Sequence, residues 1–290
     1  MIIIVESGAT KTDWCAVAAD GSVIPVRTAG MNIATMPIEA IKAIINEAAP
    51  QLNPNGEKVT ELHYYAAGLI IPEGEKIPPV AKNLDASLKE YFPDAEMEYA
   101  SDLLDAARAV CGHKPGIAAI MGTGSNSCLY DGKNIVKNVR SAGFILGDEG
   151  GGACLGKMFM ADFLKGLVPE PVSGEFARDF QVDYFTVVQK VYKSDAPSKY
   201  LGEFAPWIMA RYDSCDYVRE LVDRNFRNFI ERALSQYDIR KYPVGVVGGF
   251  GYAHQEKLRK VAAEYGIRFS EIIATPIEGL IKYHTSNEND

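Results

Sequence analysis

The chain has 290 residues, 47% of them hydrophobic, a formal net charge of −8 and a pI near 5.2. That apolar content can fill one large core or two ordinary ones. The acidic balance, with no long basic run, argues against a nucleic-acid or membrane-surface binder. Five cysteines (Cys15, Cys111, Cys128, Cys154, Cys215) are odd in number and lack any CxxC, which gives neither a disulfide framework nor a zinc site. The apolar opening spans about one strand before Glu6, and no stretch approaches the ~20 residues of a spanning helix, so a cytoplasmic protein is expected.

Ile2 to Val5 reads as a strand, followed by SGATKT (residues 7–12) and a second strand from Asp13 to Ala18. A GxxxxGK[ST] phosphate loop needs glycine before the lysine and a helix after it. Here Thr10 precedes Lys11, and an Asp20-Gly21 turn leads into Ser22-Val23-Ile24, which is a hairpin pattern. SGATKT is therefore a hairpin tip, either a plain polar turn or a phosphate cradle of another kind. A helix follows from Pro37 to Ala49, a strand from Leu62 to Ala67, a helix from Val80 to Tyr91 and a strand from Glu96 to Tyr99; then come Ser101-Asp102 and a helix from Leu103 to Val110. Residues 116–136, GIAAIMGTGSNSCLYDGKNIV, repeat the opening unit: strand, glycine and hydroxyl tip, strand, Asp-Gly turn, strand. Beyond them lie a helix from about Ala153 to Leu164, a long helical stretch between 175 and 237, a strand from Val244 to Val247, the segment GGFG and a helix from His254 to Tyr265. This alternation is that of an α/β protein with mixed sheets, built from two similar halves that meet near the HKPG turn. His63, His113, His254 and His284 show no metal-ligand spacing and read as surface or packing residues.

Six segments in order carry a family resemblance: VESGATKT (5–12), Ser101-Asp102, GIAAIMGTGSNS (116–127), GDEGGG (147–152), VGGFG (247–251) and TPIEGLIKY (275–283). The chain resembles the actin, Hsp70 and sugar-kinase superfamily, in the branch of N-acetylglucosamine kinase and the BadF/BadG-type ATPases. The resemblance implies two ribonuclease-H-like domains with a cleft between them, residues 1–115 and 116–275, with a terminal helix of about 276–290 packing back on the first. It implies an ATP-dependent kinase of a sugar hydroxyl, most like N-acetylglucosamine kinase, using Mg²⁺ and assembled as a homodimer. Gly8, Thr10, Lys11, Thr12, Gly122, Thr123, Gly124, Gly248 and Gly249 would bind ATP. Asn32, Ser125, Asn126, Asp148 and Glu149 would bind the amino sugar or a related hexose. Glu6, where the family often has Asp, would hold Mg²⁺ through water.

Phosphoryl transfer to an alcohol needs a carboxylate to accept its proton. Asp102 is the candidate, with Asp105 as alternative, although Ser101-Asp102 reads equally as a helix cap. Asn32 could be a turn residue, Asp148-Glu149 a helix-start charge pair, Gly248-Gly249 a strand-to-helix turn and Glu6 a solvated strand end. The chain has Gly143-Phe144-Ile145-Leu146 where the family more often has a tryptophan before GDEG, which bears on the sugar. The rival reading is a BadF-type ATPase that activates a partner enzyme by conformational change. No close cysteine pair is present for the iron–sulfur cluster such activators share.

Overall fold

The computed structural model describes residues 1–8, 11–33, 35–69 and 75–286. The chain divides into two compact units, Met1–His113 with Pro276–Asp290, and Lys114–Thr275.

In the first unit, β1 (Ile2–Ser7), β2 (Lys11–Val17) and β3 (Val23–Ala29) form an antiparallel meander. After α1 (Ile38–Leu52) come β4 (Glu61–Ala66), α2 (Lys82–Tyr91), β5 (Glu96–Ser101) and α3 (Asp102–Cys111). The sheet order is β3-β2-β1-β4-β5, with β1, β4 and β5 mutually parallel. Ile3, Ile4 and Val5 are all fully buried, because helices cover both faces of the central strand and its apolar run is continuous rather than alternating. One face packs Ile3, Val5 and Trp14 against Ile41, Ile45, Leu84 and Leu88 of α1 and α2.

The second unit repeats the plan. Its elements are β6 (Gly116–Met121), β7 (Ser125–Tyr130), β8 (Ile135–Val139), α4 (Gly143–Leu146), α5 (Gly152–Leu164), α6 (Val172–Phe180), α7 (Tyr184–Tyr192), α8 (Pro197–Gly202), α9 (Ala205–Met209), α10 (Asp216–Arg232), β9 (Val244–Val247), α11 (Gly249–Ala253), α12 (Gln255–Glu264) and β10 (Phe269–Ile273). Its sheet order, β8-β7-β6-β9-β10, matches that of the first unit strand for strand. The chain then returns to the first unit in α13 (Ile277–Thr285), which packs on α3. A Cβ on Gly279 would lie 2.3 Å from the Ala109 carbonyl oxygen, so only glycine allows that approach.

Five elements differ from the sequence reading, one of them α11, a short helix where GGFG reads only as a link before a helix at His254. Lys11 and Thr12 belong to β2, not to the hairpin tip, because they pair in register with Ala29 and Thr28. The stretch 175–237 is five α-helices and a short 3₁₀ helix (Leu234–Gln236), broken where Gln181 turns left-handed, where Asp183 caps α7 and where Pro197 and Pro206 start new helices. Strand β10 escaped notice because Ser270 and Glu271 are both exposed and interrupt its alternation. Helix α4, only four residues long with no buried position, gave no periodicity to find. Among the described residues no helix is long and apolar enough to cross a membrane.

Candidate active site

In the first unit a cavity of about 320 Å³ opens at the carboxyl ends of the parallel strands, lined by Ser7, Gly8, Asn32, Ala66, Gly68 and Leu69 among others. Ser7, Ala66 and Ser101 are level across β1, β4 and β5, and such strand ends are where open α/β sheets bind ligands. The Gly8 N–H donates to the Lys11 carbonyl at 2.9 Å and closes the hairpin turn; Thr10 lies outside the described residues. Ser7 Oγ is 3.3 Å from Thr12 Oγ1 and donates to the Met31 carbonyl at 3.0 Å, and Thr12 is fully buried. Lys11 Nζ and Arg27 Nε both donate to the Asp13 carboxylate. Glu6, Asp13 and Arg27 are register partners across β1, β2 and β3, so Glu6 stands beside an already neutralised carboxylate.

Helix α3 settles what caps it. Ser101 is the N-cap: its Oγ accepts from the Leu104 N–H at 3.2 Å. Asp102, the first helical residue, is left partly buried, and burial raises its proton affinity above that of an ordinary aspartate. One turn on, buried Asp105 is raised well above the usual range, first by desolvation and then by the charges of Glu6 and Asp102. Glu6 is raised too, chiefly by burial, with Asp102 adding to it. Glu6 Oε2 and Asp105 Oδ1 are buried without a hydrogen-bond partner among the described residues. The Glu6 and Asp105 carboxyl groups, each with one orphaned oxygen, are donors suited to a hydrated Mg²⁺, a hard cation that takes oxygen ligands and keeps waters.

In the second unit the tip 122–126 and the segment 147–152, far apart in sequence, are one structure. The Gly122 and Thr123 carbonyls accept from the N–H groups of Gly152 and Ala153, both at 2.9 Å, at the start of α5. Ser125 Oγ donates to the Glu149 carbonyl at 2.7 Å, and the Asp148 carboxylate faces the Ser125 N–H and the Gly124 backbone. A Cβ on Gly124 would sit 2.9 Å from Asp148 Oδ2, and one on Gly151 would sit 2.7 Å from the Thr123 carbonyl oxygen. Burial raises the proton affinity of Asp148, whereas Glu149 Oε1 accepts from Arg232 at 2.9 Å. Asn126 Oδ1 accepts from the Ser127 N–H and from Asn138, both at 2.9 Å. Asn126, Ser125 and Glu149 line a second cavity, of about 380 Å³. At the end of β9, Gly248 has φ +133°, and a Cβ there would meet the Met121 carbonyl oxygen at 2.5 Å. Gly249 has nothing within 4 Å of its Cβ position, which leaves its backbone approachable.

Asn225, fully buried on α10, was not singled out from the sequence. Its Oδ1 accepts from the Gly150 N–H at 3.0 Å and its Nδ2 donates to the Gly151 carbonyl at 3.2 Å, holding the glycine segment. The signal was available: helical spacing places it on the same face as Val218, Leu221, Val222 and Phe229. The histidines are less scattered in space than in sequence, for His63 and His284 stack with ring centroids 3.7 Å apart.

No family model matches the chain, and no curated protein does. Solved structures do. A Porphyromonas gingivalis protein, provisionally named an N-acetylglucosamine kinase, is 35% identical over 100% of this chain and 99% of its own, with a TM-score of 0.87. A Chromobacterium violaceum protein of the same provisional name shares 18% identity over 97% of this chain and 98% of its own (TM-score 0.72). The fold also matches a ROK-family glucokinase of Streptomyces griseus, solved with glucose and AMPPNP, at 17% identity over 97% of each chain (TM-score 0.55). With one full-length relative at that identity and the same paired sheets, the chain belongs to the N-acetylglucosamine kinase and BadF-type family of sugar kinases, within the actin-like ATPase superfamily.

Proposed function

We propose that the chain transfers the γ-phosphoryl group of ATP to a hydroxyl of N-acetylglucosamine, most simply O6. The observation that carries this reading is the division of labour at α3: Ser101 caps the helix, so the Asp102 carboxylate is available as a base. Burial makes it a better proton acceptor than a solvated aspartate. Asp102 takes the alcohol proton as the phosphoryl group arrives.

Gly8 and Gly122, whose N–H groups close their own turns, leave side-chain-free space for the ATP phosphates, which the backbone N–H groups of Thr123 and Gly124 approach, and Gly248-Gly249 offers bare backbone to the nucleoside. Lys11 stays on Asp13 until a phosphate competes for it, and Thr12 acts through its contact with Ser7. Thr10 keeps its proposed phosphate contact from sequence alone. Glu6 would hold Mg²⁺ through water, and the ion would supply charge neutralisation for the phosphates. Asn32, Ser125, Asn126, Asp148 and Glu149 provide the acceptors and donors that vicinal hydroxyls and an acyl oxygen require. The assembly is a homodimer: Tyr184, Phe185 and Tyr192 expose 61–79% of their surface on α7, and light scattering should read about twice 31.7 kDa.

ADP release measured with N-acetylglucosamine, glucosamine, N-acetylmannosamine, glucose and no sugar tests the activity. The reading expects release that depends on sugar and is fastest with N-acetylglucosamine. Equal release with and without every sugar would overturn it in favour of a conformational ATPase.

A further inference from the structure

We propose that His63, Glu98 and His284 form a binding site for a divalent transition ion, zinc by preference, that ties α13 to β4 and β5. One ring nitrogen of each histidine and one oxygen of Glu98 lie within 4.8 Å of one another. Ligand atoms around tetrahedral zinc sit about 3.3 Å apart, given bonds of ~2.0–2.1 Å. As they stand the two rings stack face to face, 3.7 Å apart and 26° from parallel, and an imidazole nitrogen binds metal in its ring plane, so the site closes on an ion when His284 turns its ring as well as drawing in, while the His63 Nδ1 to Glu98 Oε2 contact opens from 2.6 Å.

Two imidazoles and one carboxylate, with water in a fourth position, suit zinc better than magnesium or calcium, which prefer all-oxygen shells. Each prospective ligand is already held from behind, as ligands of metal sites usually are. Glu61 Oε2 lies 3.0 Å from His63 Nε2, Tyr65 Oη lies 2.8 Å from His284 Nε2, and Arg108 donates to Glu98 Oε1 at 2.7 Å. Arg108 is the obvious objection, a cation beside a cation site. It nevertheless has a second anchor in Tyr65 Oη at 2.6 Å. It can therefore yield its 3.0 Å bond to Glu98 Oε2 and keep the other two. Glu61 and Glu98 set two carboxylates against its one guanidinium. The three ligands come from β4, β5 and α13, and α13 packs on α3. An ion here would brace the helix that carries Asp102 without touching substrate.

The test is calorimetric titration of the EDTA-treated full chain with Zn²⁺ and with Co²⁺, beside His63→Gln, Glu98→Gln and Glu61→Gln. The expected result is one equivalent bound at micromolar affinity or tighter, weakened about 10-fold or more in each variant. No stoichiometric binding, or variants that bind as tightly as the native chain, would overturn the site. Should a variant fold poorly, the native protein still decides. Its Co²⁺ spectrum should lack thiolate charge-transfer bands, and ¹⁵N imidazole signals of both histidines should shift with Zn²⁺. Thiolate bands or unmoved imidazole signals would place the ion elsewhere and end the proposal.

Discussion

Replacing Asp102 by Asn separates a base from a structural residue with almost no change in shape. Ser101 Oγ caps α3, so the substitution leaves the cap intact, and Asn can accept the backbone N–H bond that the Asp102 carboxylate takes at Leu103. Stability should move by no more than the ~0.5 kcal/mol usual for substitutions that break no buried network. Loss of a general base removes about 10²–10⁴ in rate, or roughly 3–5 kcal/mol of barrier lowering at 1.36 kcal/mol per decade. Sugar-dependent ADP release should therefore fall at least a hundredfold in kcat, with the KM for sugar within a few-fold of the native value. The companion variant Ser101→Ala should do the reverse, costing about 0.5–2 kcal/mol in stability while leaving most of the turnover. If Asp102→Asn keeps more than a third of its kcat, Asp102 is not the base, however well it is placed.

The pH profile follows from the same carboxylate. Burial raises Asp102, so it holds its proton to higher pH than a free aspartate; kcat/KM should decline as pH falls through a midpoint above 3.8, and a limb at or below that value would contradict the assignment. Asn225→Ala should leave the Gly150 N–H and Gly151 carbonyl unpaired in a fully buried setting, at about 1–3 kcal/mol for each group. Thermal unfolding would register this as a markedly lower Tm, and an unchanged Tm would refute the bracing role. Gly151→Ala places a Cβ 2.7 Å from the Thr123 carbonyl oxygen and should destabilise by roughly 1–3 kcal/mol with a raised KM for ATP, whereas Gly249→Ala, with open space around its Cβ, should fold as the native chain does. Equal Tm values for the two glycine variants would mean that the tip does not depend on that packing.

Much of the fold was legible because the chain states it twice. IIIVESGATKTDW and IAAIMGTGSNSCL each place an apolar strand before a small-residue tip and a returning strand, and the two sheets take the same order. What the sequence hid was short or long-range. The strand Phe269–Ile273 is five residues long with two exposed polar positions, so its identity depends on pairing with β9, a tertiary fact. Helix breaks inside 175–237 fall partly at Gln181, a residue whose left-handed φ of 50° no local pattern announces.

The site was legible to the degree that its chemistry is local. Glycine tips and a Ser-Asp pair before a helix are contiguous signals, because a backbone that must approach phosphate needs adjacent residues without side chains. The assignment of roles within Ser101-Asp102 was not local. Either residue can cap a helix, and only the direction of the Ser101 hydroxyl toward the Leu104 N–H shows that the Asp102 carboxylate is not the cap. The same holds for Glu6 and Asp105, 99 residues apart in the chain, whose orphaned oxygens matter only because folding brings β1 and α3 together. It holds again for His63 and His284, which no spacing rule could pair. In this molecule the glycine-rich tips announce themselves in sequence. The carboxylates and imidazoles whose proton or metal affinity depends on one another become visible only when burial and distance are known.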